Sequence, residues 1–204
     1  MNKSNEEENI KLDAEYWSNR YDDGTASWDL GQVSPPVKNY IDQLTDKNIR
    51  ILIPGCGNTY EADYLLKLGF TNVTVIDIAP ALVAQLNEKY QGNQNIKIIL
   101  GDFFEHNGEY DLILEQTFFC ALDPALRESY VAKMHELLAP GGKLAGVLFN
   151  RGFEEQGPPF GGDENQYRTL FGKYFTFKTF NPCYNSFPKR KDTELFIILV
   201  KQPV

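Results

Sequence analysis

From residue 50 onward, short runs of branched apolar residues alternate with longer segments whose apolar positions follow helical spacing. Strands that alternate with helices form a mainly parallel sheet, so this pattern predicts an α/β fold with helices on both faces of the sheet. The predicted strands are 50–53, 72–78, 96–100, 110–116, 143–150, 175–180 and 194–201, and the predicted helices between them are 60–68, 81–90, 124–138 and 164–171.

The last two predicted strands follow each other without a helix between them. Only residues 181–193 separate them, so we expect an antiparallel hairpin at one side of the sheet. The sheet as a whole is therefore expected to contain seven strands and to be mostly parallel.

Other signals mark where helices begin and end. Apolar residues between positions 12 and 20 lie at helical spacing, and Pro35 suits the first turn of a second helix that runs to about residue 44. Asp123 and Pro124 are typical of the start of the 124–138 helix, and Gly141 follows its end. Residues 1–9 are polar and acidic and are expected to be disordered, whereas residues 10–204 are expected to form one domain.

The composition narrows the kinds of partner. A formal net charge of −8 argues against non-specific binding to nucleic acid or to an anionic membrane, because such binding needs Lys and Arg to neutralise phosphates. Three cysteines without a CxxC pair indicate neither a disulfide framework nor a zinc site, and no cluster of His, Cys and Asp has metal-ligand spacing. We expect a cytoplasmic, monomeric protein with a small-molecule partner; no targeting or membrane-spanning segment is seen.

The candidate chemistry begins at the turn after the first predicted strand, which reads Pro-Gly-Cys-Gly. Gly55 and Gly57 let the backbone approach a ligand closely, and ligands of doubly wound sheets bind at this place. A dinucleotide fingerprint has a third glycine where this chain has Tyr60, so the turn is less suited to a pyrophosphate. Asp77, 22 residues after Gly55, ends the second strand, where a carboxylate can accept hydrogen bonds from ribose hydroxyls.

The third strand ends in LGDFF, which places Asp102 to accept from an adenine amino group and Phe103 to flank the ring. Taken singly, the glycines could form only a tight turn and Asp77 could cap only a helix. The ordered set of glycine turn and two strand-end aspartates favours a nucleoside ligand, and both NAD and S-adenosylmethionine remain open at this point.

Six segments together resemble the thiopurine S-methyltransferase family, which includes plant and microbial thiol and halide methyltransferases. They read, in chain order, WSNRYDDGTASWDLG, IPGCGNTYEADYL, VIDIA, GDFF, EQTFFCALDP and QGPPFGGD. The resemblance covers nearly the whole chain from Tyr16. It implies a Rossmann-like class I methyltransferase fold that binds S-adenosylmethionine, releases S-adenosylhomocysteine and methylates a soft nucleophile, with residues 10–45 as an N-terminal helical lid.

By position, the resemblance also implies roles for individual residues. The N-terminal aromatic residues match side chains that close over the cofactor, Asp77 matches the ribose acid, and Gln116 matches a position beside the methionine part. The implied cofactor-binding residues are Trp17, Tyr21, Trp28, Gly55, Gly57, Asp77, Ile78, Asp102, Phe103 and Gln116, and the implied acceptor pocket contains Trp28, Arg151 and Phe160. From spacing alone, Trp17 and Tyr21 would instead be one packed face of a helix.

The other reactive residues have ordinary interpretations. A thiol of low pKa needs no dedicated base, so the absence of an evident catalytic histidine fits sulfur as the acceptor. His106 and His135 lie in surface-like sequence, Cys120 in an apolar run, and residues 189–191 in what is expected to be the polar turn of the last hairpin. Three alternatives stay open: an O- or N-methyltransferase with Glu115 as its base, an NAD-dependent oxidoreductase, and a non-catalytic cofactor binder.

Overall fold

The computed structural model describes residues 11–25, 28–154 and 157–203. The N-terminal tail 1–9, predicted to be disordered, lies outside the described residues.

Seven strands form one sheet with the order β3-β2-β1-β4-β5-β7-β6. Strands β1 to β5 pair in parallel, whereas β7 runs antiparallel to both β5 and β6. The mostly parallel sheet and its antiparallel C-terminal hairpin are therefore confirmed. The strands are β1 Ile51–Pro54, β2 Val73–Asp77, β3 Ile96–Leu100, β4 Tyr110–Gln116, β5 Leu138–Phe149, β6 Phe175–Pro182 and β7 Glu194–Lys201.

Helices cover both faces because the strands are apolar on both faces. In β1, the side chains of Ile51 and Ile53 join a core cluster with α2, α3 and α4, and Leu52 joins a separate cluster with α5 and α6 on the opposite face. None of the described helices is long or apolar enough to span a lipid bilayer. The helices are α1 Ala14–Asp22, α2 Pro35–Ile41, α3 Tyr60–Lys67, α4 Pro80–Lys89, α5 Arg127–Leu137 and α6 Glu164–Phe171.

Strand β5 begins five residues earlier than predicted, directly at the end of α5. Leu138 is paired with Tyr110 and Lys143 with Leu112, so five steps along β5 match only two steps along β4. Residues 139–142 must therefore bulge out of the ladder, and they contain a proline and two glycines. Gly141 was predicted to mark the end of a helix, but together with Pro140 it lies in a bulge inside β5.

The remaining differences concern helix ends. The Asp123 carboxylate accepts from the amide of Ala125 as expected, but it caps a short 3-10 turn at 124–126 that leads into α5. Asp13 caps α1 through the amide of Tyr16, so Leu12 precedes the helix. Helix α2 ends at Ile41, three residues before the predicted end.

Candidate active site

A cavity of about 440 Å³ opens at the carboxyl ends of β1, β2, β3 and β4. In the strand order, β1 lies between β2 and β4. Strands β2 and β3 are added on one side of β1 and the later strands on the other, so the end of β1 is the topological switch point of the sheet. All ten sequence-predicted cofactor residues line this cavity, and so does Arg151. Phe160 does not line it: the wall there consists of Pro158 and Pro159, while the Phe160 amide donates to the carbonyl of Cys120 at 2.7 Å.

The glycine turn forms the floor of the cavity beside β1. Gly55 and Gly57 have φ angles of +54° and +50°, a region that favours glycine. A Cβ atom on Gly55 would lie 2.2 Å from Cδ2 of Phe118, so the ring of Phe118 occupies the space that the missing side chain leaves. The third residue of the turn with positive φ is Thr59, at +50°, and its hydroxyl is buried.

Asp77 is held where β2 ends. One carboxylate oxygen accepts from the Gly57 amide at 3.1 Å, and the other accepts from the Ala79 amide at 3.0 Å. The carboxyl is buried, and burial raises its pKa, whereas these amide donors act in the opposite direction. The acid therefore ties the glycine turn to β2 while it lines the cavity.

The next strand end supplies Asp102 and Phe103. The Asp102 side chain caps a 3-10 turn by accepting from the Phe104 amide at 2.8 Å, and it is exposed toward the cavity mouth. Phe103 is buried and packs edge to face against Phe118, with the ring centroids 5.2 Å apart. An apolar slot next to a carboxylate is a suitable place for an adenine ring.

Three aromatic residues from the N-terminal part of the chain line the cavity. Trp28 packs edge to face against Trp17 at 5.5 Å and against Tyr21 at 5.8 Å. The Tyr21 hydroxyl lies over the glycine turn, 3.1 Å from where a Cβ of Gly57 would be. The packed-face and cofactor-side interpretations of Trp17 and Tyr21 are therefore compatible, since both residues pack on the core beside α4 and line the cavity.

The segment after β4 is organised by Glu115. This buried carboxylate accepts from the amides of Phe118 and Phe119, at 2.8 and 3.0 Å, and from the hydroxyl of Tyr130. Burial raises the pKa of Glu115 to about 7. Glu115 is fully buried and does not line the cavity, which argues against the alternative in which it acts as the base for an O- or N-acceptor.

Residues 189–191 were predicted to be the polar turn of the last hairpin, but two of them contribute to the cavity wall. Arg190 is buried and lines the cavity, where its guanidinium donates to the carbonyl of Trp28 at 2.9 Å and lies 3.4 Å from Glu194. Lys189 also lines the cavity and is exposed, whereas Lys191 points elsewhere. No local sequence pattern indicates the role of Arg190, because its burial depends on a segment 162 residues away in the chain.

Other candidate groups prove to be structural. His106 pairs with the hydroxyl of Tyr110 at 2.8 Å, and His135 with the carbonyl of Gln202 at 3.1 Å. Cys120 is buried at the cavity wall, and burial raises its pKa to about 12, so it is a poor nucleophile. Among the described residues, no group of three or more His, Cys, Asp and Glu side chains could hold a metal ion.

The residues that line the cavity fit S-adenosylmethionine. The hydroxyl oxygen of Thr59 and the side-chain oxygen of Gln116 are buried in its wall without a protein hydrogen-bond partner, which suits a polar ligand or water beside them. Asp77 is suited to ribose hydroxyls, and the aromatic faces of Trp17 and Trp28 are suited to a sulfonium cation. The cavity also falls within the size range of small-molecule sites.

Comparison with known proteins agrees with this geometry. A solved structure with a similar fold is the Burkholderia thailandensis 1,6-didemethyltoxoflavin-N1-methyltransferase with bound S-adenosylhomocysteine, with a TM-score of 0.75 and 19% identity over 93% of this chain and 87% of that one. A curated relative, the "Probable thiol methyltransferase 2" of Arabidopsis thaliana, is 31% identical over 76% of this chain and 70% of its own length.

Bacterial relatives extend the same pattern. The thiopurine S-methyltransferase of Vibrio parahaemolyticus is 27% identical over 79% of this chain and 83% of its own length. The model of the thiopurine S-methyltransferase family matches residues 12–197. The chain therefore belongs to the thiopurine S-methyltransferase family and is an S-adenosylmethionine-dependent methyltransferase.

Proposed function

We propose that this methyltransferase transfers the methyl group to the sulfur of a small thiol that reacts as its thiolate. The observation that carries the proposal is the composition of the cavity wall. Among the described residues, that wall combines apolar side chains with three cations, Arg151, Lys189 and Arg190, and it contains no histidine.

The described part of the cavity wall has no evident general base. Its carboxylates each accept a hydrogen bond from the protein, Asp77 and Asp102 belong to the expected nucleoside site, and Glu115 is fully buried behind the wall. Alcohols and amines need a base to lose a proton, whereas a thiol of low pKa is already ionised near neutral pH. A soft nucleophile that is already anionic is therefore the acceptor best suited to this cavity.

The cations would favour that anion. A positive charge near a thiol stabilises the thiolate and lowers its pKa. Arg190 is fixed by its bond to the Trp28 carbonyl, and Glu194 balances part of its charge. Arg151 is exposed, with its guanidinium 4.9 Å from the Phe153 ring centroid, so it adds charge at the mouth.

When bound, S-adenosylmethionine supplies an electrophilic methyl group on a sulfonium. Trp17 and Trp28 would stabilise that positive charge by cation–π attraction, worth roughly 0.5 to 2 kcal/mol per ring. Asp77 would fix the ribose, and the wall around Phe118 and Pro158 would exclude water from the thiolate. Alignment and desolvation then contribute most of the acceleration.

Relatives support sulfur as the acceptor atom, since the Arabidopsis protein is described as a probable thiol methyltransferase and the Vibrio protein as a thiopurine S-methyltransferase. Family membership removes the NAD-dependent oxidoreductase as an alternative. A non-catalytic cofactor binder differs from this proposal only in turnover.

The finer points of partner and location belong to the same proposal. The charge of −8 supports a small molecule over nucleic acid, and the three buried free cysteines support a reducing cytoplasm. The proposed assembly is a monomer. Residues 10–204 would form a single domain in which residues 10–45 cover the cofactor.

An acceptor screen tests the proposal. The purified protein is incubated with S-adenosylmethionine and matched acceptors, namely thiophenol, phenol and aniline, together with a thiopurine, thiocyanate and iodide, and S-adenosylhomocysteine is quantified by mass spectrometry. We expect turnover of thiophenol at least 100-fold above phenol and aniline. Preferential methylation of oxygen or nitrogen, or cofactor binding without turnover of any acceptor, would contradict it.

A further inference from the structure

Tyr60 stands where a dinucleotide-binding turn has its third glycine, and the structure shows what its side chain does. Its hydroxyl donates to a carboxylate oxygen of Asp29 at 3.1 Å, and the amide of Asn58 donates to the same oxygen. The other oxygen of Asp29 accepts from the Gly31 amide at 2.6 Å. The start of α3 is thus bound to a segment that precedes α2.

That segment contains Trp28, which lines the cavity next to Asp29. The indole packs against Trp17 and Tyr21, and the Trp28 carbonyl accepts from Arg190 at 2.9 Å. Trp28 is therefore held by the last hairpin on one side, and its neighbour Asp29 is held by the glycine turn on the other.

A second bond ties the same segment to α3, where the buried Glu61 accepts from the Ser34 amide at 3.2 Å. That bond lies further along the chain, and it fixes the start of α2 more directly than it fixes Trp28. The Asp29 contacts are the ones adjacent to the residue that covers the cavity.

We propose that Asp29, through Asn58 and Tyr60, is a positioning residue that holds Trp28 over the bound cofactor and sets the rate at which S-adenosylhomocysteine leaves. Releasing Trp28 from the cavity requires breaking hydrogen bonds to a carboxylate, which are stronger than those between neutral groups. Tyr60 then has a function that glycine could not serve.

The chain offers a direct reporter of this contact. It contains two tryptophans, Trp17 and Trp28, and both line the cavity with their rings 5.5 Å apart. Stopped-flow tryptophan fluorescence during S-adenosylhomocysteine binding therefore follows this part of the site. The dependence of the observed rate on ligand concentration yields the association and dissociation rate constants, and isothermal titration gives Kd independently.

Tyr60→Phe and Asp29→Asn are the test variants, and Tyr64→Phe is the matched control. Tyr64 lies one turn further along α3 and also donates its hydroxyl to an aspartate, Asp42, but it does not line the cavity. We expect Tyr60→Phe to speed dissociation about tenfold, with the association rate within about twofold and the melting temperature of the free protein lowered no further than in Tyr64→Phe. Asp29→Asn should act in the same direction, and Tyr64→Phe should leave all rate constants unchanged.

Two outcomes would overturn the proposal. One is a dissociation rate within twofold of the wild type in both test variants, and the other is an equal increase in Tyr64→Phe, which would indicate a general effect on α3. The measurement uses S-adenosylhomocysteine alone, so its result is independent of which acceptor the enzyme methylates.

Discussion

The two halves of the cavity are built in different ways. The central part of the cofactor half comes from three successive strand ends and the glycine turn, within residues 53–104, and the N-terminal aromatic residues and Gln116 add to it. The acceptor half comes from the segment after β4, the loop after β5 and the loop between β6 and β7, which lie far apart in the chain. A common cofactor is thus bound by a local motif, while the acceptor is selected by loops that can vary without disturbing it.

Charge divides along the same line. The acidic residues that line the cavity, Asp29, Glu61, Asp77 and Asp102, all precede β4 in the chain, and the basic ones, Arg151, Lys189 and Arg190, all follow β5. A cationic donor and an anionic acceptor would each meet the opposite charge. Mutations that affect one half and spare the other therefore test whether the halves are independent.

The largest expected effect is that of Asp77→Ala on the cofactor half. Hydrogen bonds to a charged group contribute about 1.5 to 3 kcal/mol each, so losing two should weaken S-adenosylhomocysteine binding at least about 100-fold. Isothermal titration measures Kd, and NAD serves as the ligand that should not bind. Asp63→Ala, which removes a surface carboxylate paired with Lys89, is the control and should bind normally. Wild-type affinity in Asp77→Ala would remove the ribose role from this residue.

Gly55→Ala should damage the floor shared by the two halves. The new methyl group would overlap the Phe118 ring, whereas Gly24, with a φ of +64°, has no atom within 4 Å of its Cβ position. Gly24→Ala therefore reports the backbone cost alone, about 1 kcal/mol. The free energy of unfolding in urea should fall by about 2 kcal/mol more in Gly55→Ala. Equal losses in both variants would show that Phe118 moves aside without cost.

Glu115, at the boundary between the halves, should make stability depend on pH. Its carboxyl keeps a proton up to about pH 7 in the folded state and loses it at about 4.5 when unfolded. The stability that this group contributes is present below pH 4.5 and is lost as pH rises through 7, by at most about 3 kcal/mol. In Glu115→Gln, whose side chain can keep the contacts with both amides and with Tyr130, this fall between pH 5 and 8 should disappear. Urea unfolding at several pH values measures it, and parallel pH curves for the two proteins would contradict the assignment.

The smallest effect is expected for Lys189→Gln in the acceptor half. An exposed charge contributes up to about 1 kcal/mol, so KM for an anionic thiol should rise two- to fivefold and Kd for S-adenosylhomocysteine should not change. The increase should shrink as salt is added. Lys191→Gln alters an exposed lysine that does not line the cavity and serves as the control. Equal effects of the two substitutions would argue against a local contact with the acceptor.

The contrast between the halves also explains what the sequence could predict. Gly55, Asp77 and Asp102 were found because each follows an apolar strand at a known place in an alternating fold, and the strands themselves were evident from their apolar runs. Strands β3, β4 and β7 and helix α6 have the predicted bounds. Periodicity and strand-end position are local properties, and local properties are visible in sequence.

The errors have the opposite origin. Arg190 was assigned to a polar turn because three basic residues in a row are usually solvated, and its burial follows from contacts with Trp28 and Glu194 that no local pattern reveals. Phe160 was placed in the acceptor pocket by position, but the backbone of its loop presents the two preceding prolines instead. Glu115 was a candidate base because nothing in the sequence shows that its carboxylate turns back toward the amides of Phe118 and Phe119.

The bond between Arg190 and the Trp28 carbonyl also has a consequence for synthesis of the protein. A nascent chain that has grown only as far as β5 already possesses the glycine turn, Asp77 and Asp102, yet the wall formed by residues 189–193 is still missing. Trp28 then has no partner on that side, and the last hairpin must emerge from the ribosome and pair with β5 before the cavity closes. We therefore expect competence to bind the cofactor tightly to be acquired at the end of translation, although most of the residues that line its expected site are made first.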